Sequence, residues 1–167
     1  LPTHGGSLRI YARHQEANKG DDSSAITSVL QAERNAGLES LETYAAFDEK
    51  VRATKRNLLK FLIDAKRDKK SIVGYGAAAK GNTLLNYCGI RSDFLDYVVD
   101  RSPHKQGRFL PGTHIPILSP DRILQTKPDY LLILPWNLQN EVVEQMRGIR
   151  QWGGRFVVPI PDVRILD

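Results

Sequence analysis

Between residues 71 and 88 the chain reads SIVGYGAAAKGNTLLNYC, a short apolar run that breaks into three glycines and a lysine and then takes up a helical pattern. A strand delivered into a glycine turn that opens a helix is a way of holding phosphate. The first backbone N–H groups of a helix have no partner within it and lie at its positive end, so they attract anions. Gly74, Gly76 and Gly81 let the backbone turn sharply and approach a ligand without an intervening Cβ. Lys80 adds a mobile charge at the same mouth, with Ala77, Ala78 and Asn82 completing the turn and the start of the helix. The string matches neither common phosphate-loop pattern: the dinucleotide fingerprint has its third glycine earlier, and the P-loop ends in Gly-Lys-Ser/Thr. A tight strand-to-helix turn whose glycines serve packing alone is the alternative.

Asp100 closes the next apolar run, about twenty residues past the glycine turn, where dinucleotide-binding domains place the carboxylate that accepts ribose hydroxyls. Its other reading is a cap on the turn Arg101-Ser102-Pro103. The loop from Asp100 to Arg108 gathers three cations and His104, and Lys105 and Arg108 are its phosphate candidates. Leu110-Pro111-Gly112-Thr113 has the residue order of a type II turn. Trp136 and Asn137 follow a third apolar run, where an indole offers a flat face to a base or sugar, or packs into the core, and an amide offers both donor and acceptor. His4, His14, His104 and His114 have no metal spacing and a single cysteine cannot complete a cluster, so no metal site is expected. No catalytic residue is assigned, because no acid or base has a clear partner.

These residues need a framework. The apolar runs at 71–75, 95–99, 130–134 and 155–158 alternate with helical segments at 82–87, 120–125 and 138–152. That alternation predicts an α/β fold, a Rossmann-like three-layer sandwich with a mostly parallel sheet, in which ligands bind at the carboxyl ends of the strands. Ahead of it, residues 7–13 read as a strand entered through His4-Gly5-Gly6, 15–24 as a polar loop, and 24–36 and 39–69 as helices. The expected division is an arm of residues 1–70 and a Rossmann-like domain of residues 71–167.

With 167 residues and 41% hydrophobic content the chain is long enough for one real core. Its 24 basic and 19 acidic residues make a mixed surface rather than a nucleic-acid stripe, a balance that an anionic small molecule fits equally well, and no nucleic-acid partner is expected. Cys88, the sole cysteine, excludes an internal disulfide, fits a buried structural thiol and suits the cytoplasm. No span-length apolar run or signal pattern is present, so no membrane partner is expected. Leu1 in place of an initiating Met suggests a piece of a longer protein.

Four ordered blocks, GYGAAAKGNTLLNYCGI, YVVDRSPHKQGRFLPGTHIPI, KPDYLLILPWNL and WGGRFVVPIP, resemble the C-terminal domain of sugar C-methyltransferases. His4-Gly5-Gly6-Ser7-Leu8-Arg9 resembles the junction at which that family's methyl-donor domain ends. The resemblance implies S-adenosylmethionine as cofactor of the full-length enzyme, a nucleotide-linked keto-deoxysugar as substrate, and an upstream methyl-donor-binding domain as partner. The family's catalytic His/Tyr/Glu motif and zinc-binding cysteines would lie upstream of Leu1, so this part is expected to position substrate and to be inactive alone. A nicotinamide-dinucleotide oxidoreductase domain and a purely structural module are the other readings of the same residues.

Overall fold

The computed structural model describes residues 1, 6–17 and 24–166. The expected turn at His4-Gly5 and most of the polar loop from 15 to 24 lie outside the described residues. The chain divides into two compact units, Leu1–Arg52 and Ala53–Asp167.

In the first unit, helix α1 (Ser24–Asn35) is followed by the start of helix α2 (Leu41–Arg67). α1 buries none of its side chains. Residues 7–13, expected as a strand, carry no regular structure among the described residues. Their alternation is real, but a strand forms only where a neighbour supplies ladder hydrogen bonds.

The second unit is a six-stranded sheet in the order β3-β2-β1-β4-β5-β6. Its strands are β1 (Ile72–Tyr75), β2 (Val98–Val99), β3 (Ile117–Leu118), β4 (Tyr130–Ile133), β5 (Arg155–Val158) and β6 (Arg164–Leu166). Five run parallel, and β6 pairs antiparallel with β5. β1 lies at the centre, with Gly74 beside Val98 on one flank and beside Leu132 on the other. After β1 the chain builds outward to β3 and then returns to β4, so strand order reverses between β1 and β4. A cleft opens at such a reversal because the flanking loops diverge.

Alternate residues of the strands feed two cores. Ile72, Val98, Leu132 and Val157 pack with Leu58, Leu62 and Ala65 of α2 and with Leu84, Leu85 and Cys88 of helix α3 (Ala79–Cys88). Val73, Tyr75, Val99, Leu131, Ile133 and Phe156 pack on the other face with Ile123 of helix α4 (Asp121–Thr126) and Val142 of helix α5 (Gln139–Gln145). Both faces are covered, which is why these strands read as unbroken apolar runs. Cys88 is buried, and burial raises its thiol above the usual range.

β3 and β6 do not stand out in the sequence. β3 is two residues long behind Pro116, and β6 follows the proline-rich turn after β5. The expected helix over 138–152 is instead α5 flanked by 3-10 turns at Trp136–Leu138 and Arg147–Trp152. Gly148 falls in the second of these, where a glycine weakens α-helix.

At the amino ends of β1 and β4 a single carboxylate ties the strands together. Asp129 accepts from the Ser71 N–H and hydroxyl, both at 2.9 Å, and from Lys70 at 3.0 Å.

Candidate functional site at the carboxyl edge of the sheet

β1 delivers the chain to Gly76, whose φ of +90° falls in the region that favours glycine. A Cβ at Gly76 would lie 2.6 Å from Pro135 Cδ, and one at Gly81 would lie 2.6 Å from Leu134 Cβ. A Cβ at Gly74, inside β1, would meet Val98 Cγ2 at 2.8 Å. The close approach that these glycines permit is therefore made to the chain's own strands. It draws the start of α3 down against the end of β4, so packing explains the glycine spacing.

That seating brings the candidates together. Ala78 precedes α3 in extended conformation and supplies no side-chain cap, so the leading N–H groups of α3 have no capping side chain. The Lys80 ammonium donates to Asn137 Oδ1 at 2.6 Å and lies 5.3 Å from the centre of the Trp136 ring. Lys80 thus meets Trp136 and Asn137, more than fifty residues further along the sequence, between the ends of β1 and β4. Trp136 is half-buried and touches both cores, so packing fixes its ring. One turn into α3, the side-chain oxygen of Asn82 is buried without a hydrogen-bond partner.

Asp100, at the end of β2, is bound inward. Its Oδ2 accepts from the Ala77 N–H at 2.8 Å and from Lys105 at 3.0 Å, and its Oδ1 accepts from the Ser102 N–H at 2.8 Å. Burial alone would raise its pKa, but the Ser102, Lys105 and Ala77 bonds outweigh that and hold the carboxyl below its ordinary range. The carboxylate thus caps the turn after β2 and also braces the glycine turn.

Lys105 also donates to the Ala77 carbonyl at 3.1 Å, so it faces the glycine turn as part of the same brace. Arg108 is exposed, with its carbonyl accepting from the Ile117 N–H at 2.8 Å. Gly112 has a φ of +79°, as its turn requires, although the closing bond to the Leu110 carbonyl comes from the N–H of His114.

A cavity of about 230 Å³ opens at the strand reversal, walled by Gly76, Ala78, Asp100, Arg101, Pro135 and Gln145 among others. Arg101 was legible only as one cation of a basic loop; the turn after Asp100 turns it toward this cavity. Tyr75 ends β1, and Glu141 and Gln145 are four apart on α5, a spacing that shares one helix face but carries no signal of its own. The start of α3 thus has Lys80, Trp136 and Asn137 beside it, while the cavity itself is walled by Arg101 and by none of those three.

Residues 2–161 match a family model described as the C-methyltransferase C-terminal domain. NovU, a C-methyltransferase of Streptomyces niveus, is 37% identical over 167 residues, which cover 98% of this chain and 39% of that protein. The chain thus spans well under half the length of this curated relative. With nearly all of its length matched, strands β1 to β5 and the carboxyl-edge loops included, the chain belongs to the C-methyltransferase C-terminal domain family.

Proposed function

We propose that this domain binds and positions a nucleotide-linked sugar for C-methylation within a longer enzyme, with the sugar nucleotide's diphosphate at the N-terminus of α3. The observation that carries the reading is the lack of a side-chain cap on α3, beside Lys80 held by Asn137 and Trp136. A diphosphate there accepts hydrogen bonds from the uncapped N–H groups and from the ammonium. Gly74, Gly76, Ala77 and Gly81 shape the turn, while Asp100 and Lys105 keep it rigid. Arg108 stands in the same loop as an outer contact. Orientation of the sugar is itself a contribution to rate.

S-adenosylmethionine supplies the methyl group in a full-length enzyme of this kind, but the residues of this turn do not suit it. Its sulfonium is positive, whereas the turn offers Lys80 and the positive end of a helix, and both oxygens of Asp100 are engaged. The methyl donor and the proton-abstracting residue are assigned to the upstream part of the enzyme, and the assembled protein to the cytoplasm. No helix among the described residues is long and apolar enough to cross a membrane. A face for the upstream part is available on the first unit. Leu8, Ile10 and Tyr11 are 71%, 80% and 84% exposed, and with Ile26, Val29 and Leu30 of α1 they line a groove of about 660 Å³.

The dinucleotide oxidoreductase reading has less support, because the carboxylate it needs for ribose is the one bound inward. The test is Lys80→Met in the full-length enzyme. Loss of one charge-assisted contact, about 1.5 kcal/mol, should raise the Kd for the sugar nucleotide roughly tenfold, with KM rising and kcat little changed. An unchanged Kd would sink the proposal.

A further inference from the structure

Residues 7–13 alternate like a strand without forming one, and a contact at their start indicates where a neighbour would lie. Leu1 and Ser7 exchange both of their backbone hydrogen bonds. The Ser7 N–H donates to the Leu1 carbonyl at 2.9 Å, and the Leu1 nitrogen donates to the Ser7 carbonyl at 3.0 Å. Mutual exchange of this kind is the hydrogen-bonded pair of an antiparallel ladder, which recurs at every second residue along two arms of a hairpin. Gly6, just before Ser7, has a φ of +122°, in the region that favours glycine and suits a turn.

Beyond Ser7 the ladder has one arm only. Among the described residues, Leu8 to Ala12 make no backbone–backbone hydrogen bond. Polar backbone groups in an alternating segment are ordinarily paired. On such an arm Leu8, Ile10 and Ala12 share one face, and Arg9, Tyr11 and Arg13 share the other. Leu8 and Ile10 belong, with Ile26, Val29 and Leu30 of α1, to the apolar groove of the first unit.

We propose that residues 7–13 are the returning arm of an antiparallel β-hairpin whose outgoing arm is the stretch of polypeptide immediately preceding Leu1 in the longer enzyme. The Leu1–Ser7 pair fixes the register. The residues two and four before Leu1 form the next hydrogen-bonded pairs, with Arg9 and Tyr11, and the residues one and three before it stand opposite Leu8 and Ile10. The family model begins at residue 2, between the two paired residues, so the hairpin straddles that boundary. NovU, of which this chain covers 39%, has the length to supply such an arm. A second copy fits the segment less well. Self-pairing in any register sets two arginines from each copy on one face, and residues 7–13 contain no carboxylate to offset them.

The hairpin rests on the reading of this chain as part of a longer enzyme and makes no use of nucleotide contact. Amide hydrogen exchange at single-residue resolution compares the full-length enzyme with the 167-residue chain. The Arg9 and Tyr11 amides should exchange at least about tenfold more slowly in the full-length enzyme and freely in the 167-residue chain. The Ile10 amide faces away from the outgoing arm. Its protection while Arg9 and Tyr11 exchange freely would put the neighbour on the other side and overturn the hairpin. Free exchange of all three in the full-length enzyme would overturn it too, as would equal protection in both proteins, which a second copy would give. Lys80→Met should leave these amides unchanged, so the hairpin and the phosphate contact can each fail alone.

Discussion

Asp100→Asn is the most searching test of how the site is held. The carboxylate receives N–H groups on both oxygens, from Ser102 on one and from Ala77 together with Lys105 on the other. An asparagine has one acceptor oxygen, so its NH2 must face either the Ser102 or the Ala77 N–H, donor to donor. One partly buried N–H loses its partner, which costs about 1–3 kcal/mol. Loss of the Lys105 pairing adds roughly 0–1 kcal/mol, discounted because Lys105 is 45% exposed. Together the variant should lose about 1–4 kcal/mol near pH 7, a fall in Tm of about 2–16 °C for a chain of this size.

The pH dependence carries the diagnosis. The folded pKa of Asp100 lies below the ordinary 3.8, so its stabilisation is complete above that value and is lost as pH falls through the folded one. Protonated Asp100 has the same donor excess as asparagine. Urea unfolding followed at pH 7 and pH 3 should therefore show the gap between wild type and variant narrowing in acid. A gap below about 0.5 kcal/mol at pH 7, or one that persists undiminished at pH 3, would refute the account of this brace.

Three further outcomes follow from the same geometry. Gly81→Ala should range from neutral to destabilising by about 2 kcal/mol, since forcing a Cβ against Leu134 costs about 1–3 and helix propensity returns about 1; calorimetric unfolding checks it. Gly148→Ala, where an added Cβ has nothing within 4 Å, should be neutral or stabilising by about 0.5 kcal/mol in the same measurement. Asp129→Ala should cost about 1–3 kcal/mol by stranding the Ser71 N–H, yet leave pyrophosphate affinity unchanged because the clamp lies at the opposite end of the strands; a parallel loss of affinity would show that the two ends are coupled.

The sheet was legible where its strands are covered on both faces, because burial on both sides demands continuous apolar residues. β1, β4 and β5 meet that condition. β3 and β6 do not, being short edge elements specified by their neighbours. Residues 7–13 show the converse, since alternation without an adjacent strand leaves no ladder. In the candidate site, the placement of Lys80, Asp100, Trp136 and Asn137 near strand ends was legible because strand and helix alternate. The loop cations were harder to assign: Lys105 braces Asp100, and it is Arg101 that lines the cavity, since the direction of a loop side chain depends on turn geometry set by long-range hydrogen bonds.

Local covalent chemistry is enough to determine some properties. Glycine at 74, 76 and 81, an alanine at 78 that cannot cap a helix, and a lone cysteine hold wherever the chain goes, because they rest on backbone freedom, hydrogen-bonding inventory and residue type. The order of the strands requires the folded chain. It sets the reversal between β1 and β4, and that reversal carries Lys80 to Asn137, Ala77 to Asp100 and Tyr75 to Gln145. Contacts across 23 to 70 residues arise only when the sheet closes. They give the glycine-rich turn, ambiguous by itself between packing and binding, a definite packing role against β2 and the end of β4.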